Sequence, residues 1–409
     1  MEQIRTPPLP TTHPALFFLL YLPFGAIGGW LATPIEYLYA RAGVSLAAFG
    51  AMISLTLFPQ VIKVLWAPLV DTTLTLKAWY IVSLAFVAPG ILLSGLLPPG
   101  AASMGALTAL MLVASIASSF TGMACDGLMA HATAPHRRGA AGGWSQAGNV
   151  GGAGLAGGGG LWLATRTHSL AAPGWVLAGL CLACALSLLA VSTPAKPARR
   201  AGYLEVLIGV GRECWQAVSS RAGRLAVLVF LLPLGAGGAG AVFAAIAPDW
   251  GASATLLSNT AWISGVLTSA AAIGGGFVCD FIDRKLAYVL FGVVVGLTAA
   301  GMAVAPRTPA DFVVFVFAYS AATGLAYAGF AAVTLETIGA GAAATKYTLF
   351  ASIANIPVAI MPAVDGWVAS RSGPAAMLWL ELGVALLGAL VFLPIWALWR
   401  GARLAPERA

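Results

Sequence analysis

The chain has 409 residues, of which 60% are hydrophobic and 9% are charged. Soluble globular domains carry roughly 25% charged residues, so this composition excludes a soluble fold. The net charge of +7 is explained by membrane topology, as shown below, and no nucleic-acid partner is expected.

Twelve apolar segments follow one another along the chain, each about 20 residues long, the length that crosses a ~30 Å hydrocarbon core. All are expected to be helices, because lipid offers the backbone no hydrogen-bond partners. The first follows a short polar start and is too long for the core of a cleavable signal peptide. The predicted spans are 14–39, 45–66, 78–97, 103–129, 140–164, 174–192, 223–246, 254–279, 286–305, 311–337, 344–369 and 375–399.

The fifth span contains the run GGAGLAGGGG (151–160), in a chain with 49 Gly and 24 Pro. Small residues let membrane helices approach closely, and Pro kinks are tolerated there. We interpret this run as a tightly packed span rather than a flexible loop.

The cysteines predict neither disulfides nor a metal site. Cys125, Cys181, Cys184, Cys214 and Cys279 lie in spans or in the central linker, and none lies in a predicted outer loop. The CLAC pair (181–184) lacks the further His or Cys ligands that a metal site needs, so a packing role is expected. No cofactor is expected.

The Lys and Arg residues predict the orientation. With the N-terminus inside, four of the 21 fall in outer loops (Arg41, Arg166, Arg307 and Arg371), which leaves 17 on the inner side. Such an excess is typical of cytoplasmic loops. We therefore expect a multi-pass protein of a bacterial inner membrane with both termini in the cytoplasm.

The longest polar interval, 193–222, divides the chain into six spans and six spans. Residues 1–192 and 223–409 are expected to form an N-terminal and a C-terminal six-helix half. Apolar residues at helical spacing between Tyr203 and Val218 predict an amphipathic surface helix in the cytoplasmic linker.

Charged positions repeat between the two halves at offsets of 209, 209 and 210 residues. The pairs are Asp71 with Asp280, Arg137 with Lys346, and Asp126 with Glu336. Two six-span halves in parallel repeat are the layout of major-facilitator transporters, with an all-α, twelve-helix fold. The alternative is that charges simply collect at loops, which accounts less well for three pairs at nearly one offset.

Charges at the inner ends of the spans are expected to stabilise a gate that closes in one transport state. The predicted gate residues are Lys63, Asp71, Arg137, Arg138, Asp280, Asp283, Arg284 and Lys346. Ordinary topology-fixing charges would account well for Arg284 and Lys285. They account poorly for Asp71 and Asp280, because acidic residues contribute little to orientation.

The stretch ARAGVSLAAFGAMISLTLFPQVIKVLWAPLVD (40–71) resembles the peptide–acetyl-coenzyme A–drug group of major-facilitator permeases, which includes AmpG-type muropeptide permeases and related siderophore permeases. Its specific parts are the Gly-Val-Ser start and the Lys-x-x-Trp-x-Pro-x-x-Asp core. The stretch 344–373 is similar to the eleventh span of that group, and GMACDGLMA (122–130) to its Asp-rich fourth span.

These motifs cover under a fifth of the chain, and the sequence departs from the group in three places. Thr72 follows Asp71 where the group usually continues with Arg, Gly122 replaces a first acidic residue, and Lys346 stands in place of Gln. The resemblance therefore implies the group more strongly than it implies a muropeptide substrate.

Charged side chains inside spans cost roughly 2.5–3.5 kcal/mol each, so each is a functional candidate. Asp126 is the first candidate for proton coupling, because it lies in an apolar helix at a position that is acidic in the group; the alternative is a fixed ion pair at the inner mouth. Glu36 is the second candidate, because it could take up a proton from outside or contact a substrate cation. The alternative is that it lies at the outer rim without such a role. Glu336 is the third, with Lys346 as its expected partner.

Two further acidic residues lie in the last two spans. Asp365 is near the outer end of the eleventh span. Glu381 lies in the twelfth, which is usually peripheral in the major-facilitator fold, so a boundary role is expected for it.

The same fold implies a central cavity lined by spans one, four, seven and ten, with contributions from five, eight and eleven. The polar and aromatic candidates there are Tyr21, Trp30, Trp144, Gln146, Asn149, Asn259, Trp262, Tyr319, Tyr327, Tyr347 and Asn355. Aromatic faces with amide groups suit a sugar or an aromatic chelate, although Trp also gathers at membrane interfaces. Asn149 and Tyr347 are the strongest candidates.

The leading hypothesis is a monomeric, proton-driven importer of a bulky polar solute, a muropeptide or a ferric siderophore. An efflux pump is the alternative, since no residue encodes direction. A membrane enzyme is disfavoured because the four His residues form neither an acyltransferase motif nor a metal cluster. The sequence contains no phosphate-binding G-x-x-x-x-G-K-[ST] motif, so direct ATP hydrolysis is not expected as the energy source. A non-transporting sensor is disfavoured by gate charges in both halves.

Overall fold

The computed structural model describes residues 12–13, 15–132, 138–192, 203–338 and 343–404. Within these ranges all regular structure is helical. Ten of the described helices are long and apolar enough to cross a membrane, and they correspond to predicted spans 1–4, 6 and 8–12. They are Leu16–Arg41, Leu46–Leu65, Leu76–Leu96, Ala101–Met129, Ala171–Ala190, Ala254–Cys279, Arg284–Val304, Pro309–Thr334, Lys346–Ser372 and Pro374–Trp399.

Span 5 is helical throughout but changes its winding in the glycine run. It begins as Arg138–Gly154, passes through a π-helical turn, Leu155–Gly159, and ends as Gly160–Thr167. A π turn adds a residue to the helix, and such turns are frequent at functional sites.

Span 7 is interrupted, so the prediction of an unbroken helix there is wrong. The helix Arg221–Leu231 is followed by irregular chain, and short helical turns resume over 239–250. Pro233 lacks the backbone N–H that a continuing helix would use. Gly235 and Gly237 then take positive φ angles of 66° and 71°, a conformation that side-chain-bearing residues avoid.

The helix ends define two faces of the bundle. The terminal face carries the first residue of span 1, Leu16, and the last helical residue, Leu404. The loop face carries short turns that use residues with positive φ, namely Gly43, Gly100, His168, Gly251 and Gly373.

Spans 1 and 5 pack backbone against backbone. A side chain added at Gly29 would overlap the carbonyl group of Ala153, and one added at Gly152 would overlap that of Leu22. Glycines at such contacts allow the close approach that stabilises membrane helix pairs. The prediction that the fifth span is tightly packed is confirmed.

Contacts between the first six and the last six spans are dense near the loop face. The Ala47 N–H of span 2 donates to the Ser370 hydroxyl of span 11 at 2.8 Å. The Ser258 hydroxyl of span 8 donates to the Gly158 carbonyl of span 5 at 2.6 Å. Tyr37 and Leu161 are buried among residues of the last six spans. The loop face is therefore closed.

Each of the four arginines at the loop face lies over an aromatic ring. The distances from guanidinium carbon to ring centre are 5.8 Å for Arg41 on Tyr37, 4.6 Å for Arg166 on Trp162, 5.4 Å for Arg307 on Trp250 and 4.5 Å for Arg371 on Trp367. Two of these pairs belong to the first six spans and two to the last six. Stacked Arg and Trp side chains of this kind suit the membrane–water interface.

Two smaller expectations concern the linker and the thiols. The linker contains a helix, Tyr203–Ser219, at the place where apolar spacing predicts one. Cys125, Cys181 and Cys184 are buried and form no disulfide, and Cys279 is buried as well. The packing role of the CLAC pair agrees with this burial.

Candidate functional site

The motif at residues 63–71 turns the chain sharply at the end of span 2. The helix Leu46–Ile62 tightens into a 3₁₀ turn, Lys63–Leu65, and a short helix, Ala67–Thr72, follows. Pro in the first turn of that short helix is tolerated because the N–H it lacks has no helical partner there. The motif therefore makes a helix break that places Lys63 at a corner.

Trp66 fixes this corner against span 4. Its indole N–H donates to the Ser119 hydroxyl at 3.0 Å, and its ring stacks on Phe120 with 6.0 Å between centres. Trp79 stacks on Phe120 as well, at 4.8 Å. Lys63 is thereby held beside the helix that carries Asp126.

Asp126 is the centre of a cluster drawn from four spans. The Tyr21 hydroxyl of span 1 donates a hydrogen bond to its carboxylate. The ammonium group of Lys63 and the Tyr347 hydroxyl of span 11 lie within electrostatic range of the same carboxylate. We call Asp126, Tyr21, Lys63 and Tyr347 the Asp126 cluster. All four were predicted as functional residues, in three separate roles, and the structure brings them together.

The Asp126 cluster borders an internal, water-accessible space. Asp126 lies deep in the bundle, yet its side chain is exposed. Tyr327 of span 10 is likewise surrounded by protein and is 55% exposed. Both lie in the terminal-face half of their helices, and the loop face is closed. The space therefore opens toward the terminal face.

The other predicted cavity residues differ in exposure. Trp144 is 45% exposed and contacts the edge of Phe18 at 6.3 Å between ring centres. Gln146, Asn259 and Trp262 are exposed, whereas Asn149 and Asn355 are partly buried. The Asn355 amide donates to the Gln60 carbonyl at 3.4 Å, so it joins span 11 to span 2.

Two of the predicted cavity residues belong to the protein core instead. Trp30 is fully buried, and its indole N–H donates to the Ser94 hydroxyl at 2.9 Å. Tyr319 is 4% exposed. A single sequence does not show which side of an apolar helix an aromatic residue occupies, because spans in lipid are apolar all round.

Glu336 forms an ion pair, with a different partner from the one expected. Its carboxylate lies 2.6 Å from the Lys285 ammonium at the start of span 9, whereas the sequence suggested Lys346. The Lys285 side chain is 6% exposed and that of Glu336 38%. The two ends of spans 9 and 10 are thus tied together at the terminal face. Sequence reasoning passed over Lys285 as a topology-fixing charge.

The structure describes only part of the predicted gate. Asp283 is exposed, and its carboxylate accepts hydrogen bonds from the Lys285 and Leu286 N–H groups at 3.1 Å each, as a helix cap. Arg284 and Lys346 are partly buried. Arg137 and the side chains of Asp71, Arg138 and Asp280 lie outside the described residues, so their gating role stays a prediction.

Glu36 lies between the two sets of six spans, and its burial disagrees with the alternative of an outer-rim position. Its side chain is fully buried, and neither carboxylate oxygen makes a hydrogen bond of normal geometry among the described residues. The backbone N–H groups of Ala244 and Ala245 in span 7 face it. Glu36 is therefore part of the contact that closes the loop face.

No protein-family model matches the chain, and no curated protein matches its sequence. Solved structures match over nearly its whole length. A crystal structure of the nucleoside transporter NupG with an aspartate-to-alanine substitution has a TM-score of 0.70 at 15% identity and covers 93% of this chain and 98% of that one. The unsubstituted NupG structure gives 0.68 at 13% identity, with the same coverage.

The xylose transporter XylE from E. coli, in a partially occluded inward-open conformation, has a TM-score of 0.69 at 12% identity and covers 92% of this chain and 98% of that one. Identities this low show the fold alone, and these neighbours do not single out the muropeptide and siderophore permeases. The chain has the all-helical major-facilitator fold that its two sets of six spans predict.

Proposed function

We propose that the chain is a proton-driven secondary transporter that imports a bulky polar solute by alternating access. The observation that carries this proposal is the Asp126 cluster, in which a carboxylate at an internal space has a phenol donor and a nearby ammonium group. The fold supplies the setting, because major-facilitator halves rock around a central site.

The chemistry of the cluster suits coupling. An ionised Asp126 accepts the Tyr21 hydrogen bond and attracts Lys63, and such charge-assisted contacts are roughly twice as strong as neutral ones. Protonation of Asp126 removes the negative charge and weakens both contacts. Because the cluster joins spans 1, 2, 4 and 11, the proton then shifts the balance between two arrangements of these spans.

The solute we propose is polar and rich in hydroxyl groups. As residues predicted to line the cavity, Trp144, Gln146, Asn149, Tyr327 and Tyr347 would supply it with aromatic faces, amides and hydroxyls. The structural neighbours carry nucleosides and xylose, which are hydroxyl-rich, and the motifs at 40–71 and 344–373 resemble permeases for muropeptides and siderophores. A muropeptide combines sugar and charged groups, so it is our first candidate, and a ferric siderophore is the second.

We further propose that the protein lies in the cytoplasmic membrane of a bacterium with its terminal face inward. The 17 cationic residues predicted on that side support this orientation. The internal space would then open to the cytoplasm. Fusions of green fluorescent protein and of alkaline phosphatase to the C-terminus test it: fluorescence without phosphatase activity is the expected result.

Uptake into proteoliposomes under an imposed outside-acid pH gradient tests the function. The panel consists of labelled anhydro-muropeptide, a ferric siderophore, uridine and xylose, each with the wild type and Asp126→Asn. We expect gradient-driven uptake of the muropeptide that is lost in the variant and on dissipating the gradient. Accumulation driven by an inside-acid gradient would identify export instead. Uptake indifferent to the gradient would refute proton coupling.

A further inference from the structure

A second group of buried acidic side chains lies in the last six spans, away from the Asp126 cluster. Asp365 of span 11 is fully buried, and Glu381 of span 12 is 3% exposed. Their carboxyl groups are in direct contact with each other. Each lies seven residues from the loop-face end of its helix, Ser372 or Pro374, which is about 10 Å at 1.5 Å per residue.

The interrupted part of span 7 lies directly on this carboxyl pair. The Ala239 N–H, freed by the break, donates to Glu381 Oε1 at 2.8 Å. At the neighbouring Gly238 a side chain would overlap the Asp365 carboxylate, so only glycine lets the backbone come this close. Backbone groups released by a broken membrane helix need such partners, since lipid offers none.

Tyr319 of span 10 completes the site. It is 4% exposed, and its hydroxyl faces both carboxyl groups without making a hydrogen bond of normal geometry. Both Asp365 oxygens are also buried without such a bond. Buried polar atoms normally have partners, so this group has unused donors and acceptors pointing at one place.

The charges do not balance if both carboxyl groups are ionised. The ionisable groups that face the pair are the tyrosines of span 10, with Tyr327 behind Tyr319, whereas span 7 presents backbone amides. Among the described residues, no Lys, Arg or His faces it. Carboxylates are acceptors only, and two buried ones in contact cannot both stay ionised. One bound cation resolves both the charge and the missing donor.

We infer that Asp365 and Glu381 bind one exchangeable proton between them and form a second proton site of this transporter. The proton completes a carboxyl–carboxylate hydrogen bond, and on release it leaves as a hydronium ion to water admitted when the loop face opens. Two repelling carboxylates would then separate spans 11 and 12 under the break of span 7. The role in transport rests on the proposed function, whereas the site itself does not.

Infrared difference spectroscopy of the purified, reconstituted protein tests the site without a transported solute. The protonated carboxyl group has a carbonyl stretch that ionised carboxylates lack, and it shifts in D₂O when the proton exchanges. We expect Asp365→Asn and Glu381→Gln each to remove the same single band at neutral pH, because the two side chains share one proton. Asp311→Asn is the matched control. The Asp311 carboxylate accepts a hydrogen bond from the Thr308 hydroxyl at 2.5 Å at an exposed position, so replacing it should leave the band unchanged.

Three outcomes would overturn the inference. The first is that neither substitution removes the band. The second is that the two substitutions remove different bands. The third is that Na⁺ abolishes the band of the wild type, which would identify a sodium site. Both amide variants keep the shape of the side chain and Gln can still accept from Ala239, so folding is expected to survive. If the band behaves as expected while a pH gradient drives no uptake, the site stands and the proposed proton-driven function fails.

Discussion

The hydroxyl of Tyr21 donates a hydrogen bond to the carboxylate of Asp126, across the contact of spans 1 and 4. A hydrogen bond to a charged group contributes about 1.5–3 kcal/mol. Tyr21→Phe removes this donor and keeps the ring, which packs against Phe24 with 5.9 Å between centres.

We expect Tyr21→Phe to lower the initial rate of gradient-driven uptake about tenfold, since 1.4 kcal/mol corresponds to a factor of ten. Tyr80→Phe is the matched control, because the Tyr80 hydroxyl donates to the Leu20 carbonyl at 3.0 Å and is buried away from the space. Equal losses in both variants, normalised to folded protein, would mean that the Tyr21 hydroxyl acts only on stability.

Neighbouring glycines of span 1 provide a test of the backbone contact with span 5. A Cβ at Gly29 overlaps the backbone of Ala153, whereas nothing lies within 4 Å of a Cβ at Gly28. We expect Gly29→Ala to destabilise the protein by about 1–3 kcal/mol, the usual cost of overpacking, and Gly28→Ala to have no such effect. Thermal unfolding in detergent, followed by fluorescence, measures both; a similar fall in midpoint would contradict the packing described.

In the Lys285–Glu336 ion pair only Lys285 is buried, so removing one partner or the other should cost different amounts of stability. Glu336→Met leaves the buried Lys285 ammonium unpaired and is expected to cost about 3–5 kcal/mol. Lys285→Met leaves the partly solvated Glu336, where screening reduces the cost to about 1 kcal/mol. Chemical denaturation measures the free energy of unfolding of the two variants and of the wild type.

The double variant Lys285→Met/Glu336→Met removes both charges and should be more stable than Glu336→Met alone. The opposite order of the single variants would show that Lys285 reaches water and that the pair is a surface contact.

The closed loop face predicts a cross-link. The hydrogen bond between the Ala47 N–H and the Ser370 hydroxyl brings spans 2 and 11 into contact there. In a background without the five native cysteines, Ala47→Cys/Ser370→Cys should form a disulfide under mild oxidation and lose uptake, because the face can no longer open. Reduction should restore uptake. Oxidation-sensitive loss in either single variant would show an effect unrelated to the cross-link.

Much of the fold could be predicted because hydrophobic length and spacing are one-dimensional signals. Ten of the twelve predicted spans, and the close packing of the fifth, follow from apolar runs and from glycine content. The break in span 7 was missed, although Pro233 and the glycines after it carry the signal, because apolar composition hides a helix interruption.

The Asp126 cluster was predicted residue by residue but not as a unit. Tyr21, Lys63 and Tyr347 come from distant parts of the chain, and their meeting depends on how helices rotate about their axes. That rotation is set by packing, which a single sequence does not specify.

The Asp365–Glu381 pair was missed because span 12 was expected to be peripheral. A signal for it existed: the turn residue Gly373 is eight residues after Asp365 and eight before Glu381, which puts both acids at one depth on antiparallel helices. Span 12 is held inward there, since a Cβ added at Gly296 of span 9 would lie only 3.1 Å from the Glu381 carbonyl oxygen.

The four arginines stacked on aromatic rings make the loop face sensitive to the lipid around it. Such side chains favour the level of the lipid headgroups, and two of them belong to each half of the bundle. If one half rocks, its two stacked arginines must move toward or away from the bilayer surface. The longest apolar helices measure about 40 Å, against a hydrocarbon core of ~30 Å, so tilt already absorbs a mismatch. In the transporter we propose, membrane thickness would therefore act as a mechanical load on the transition between states, and lipid chain length would tune its rate.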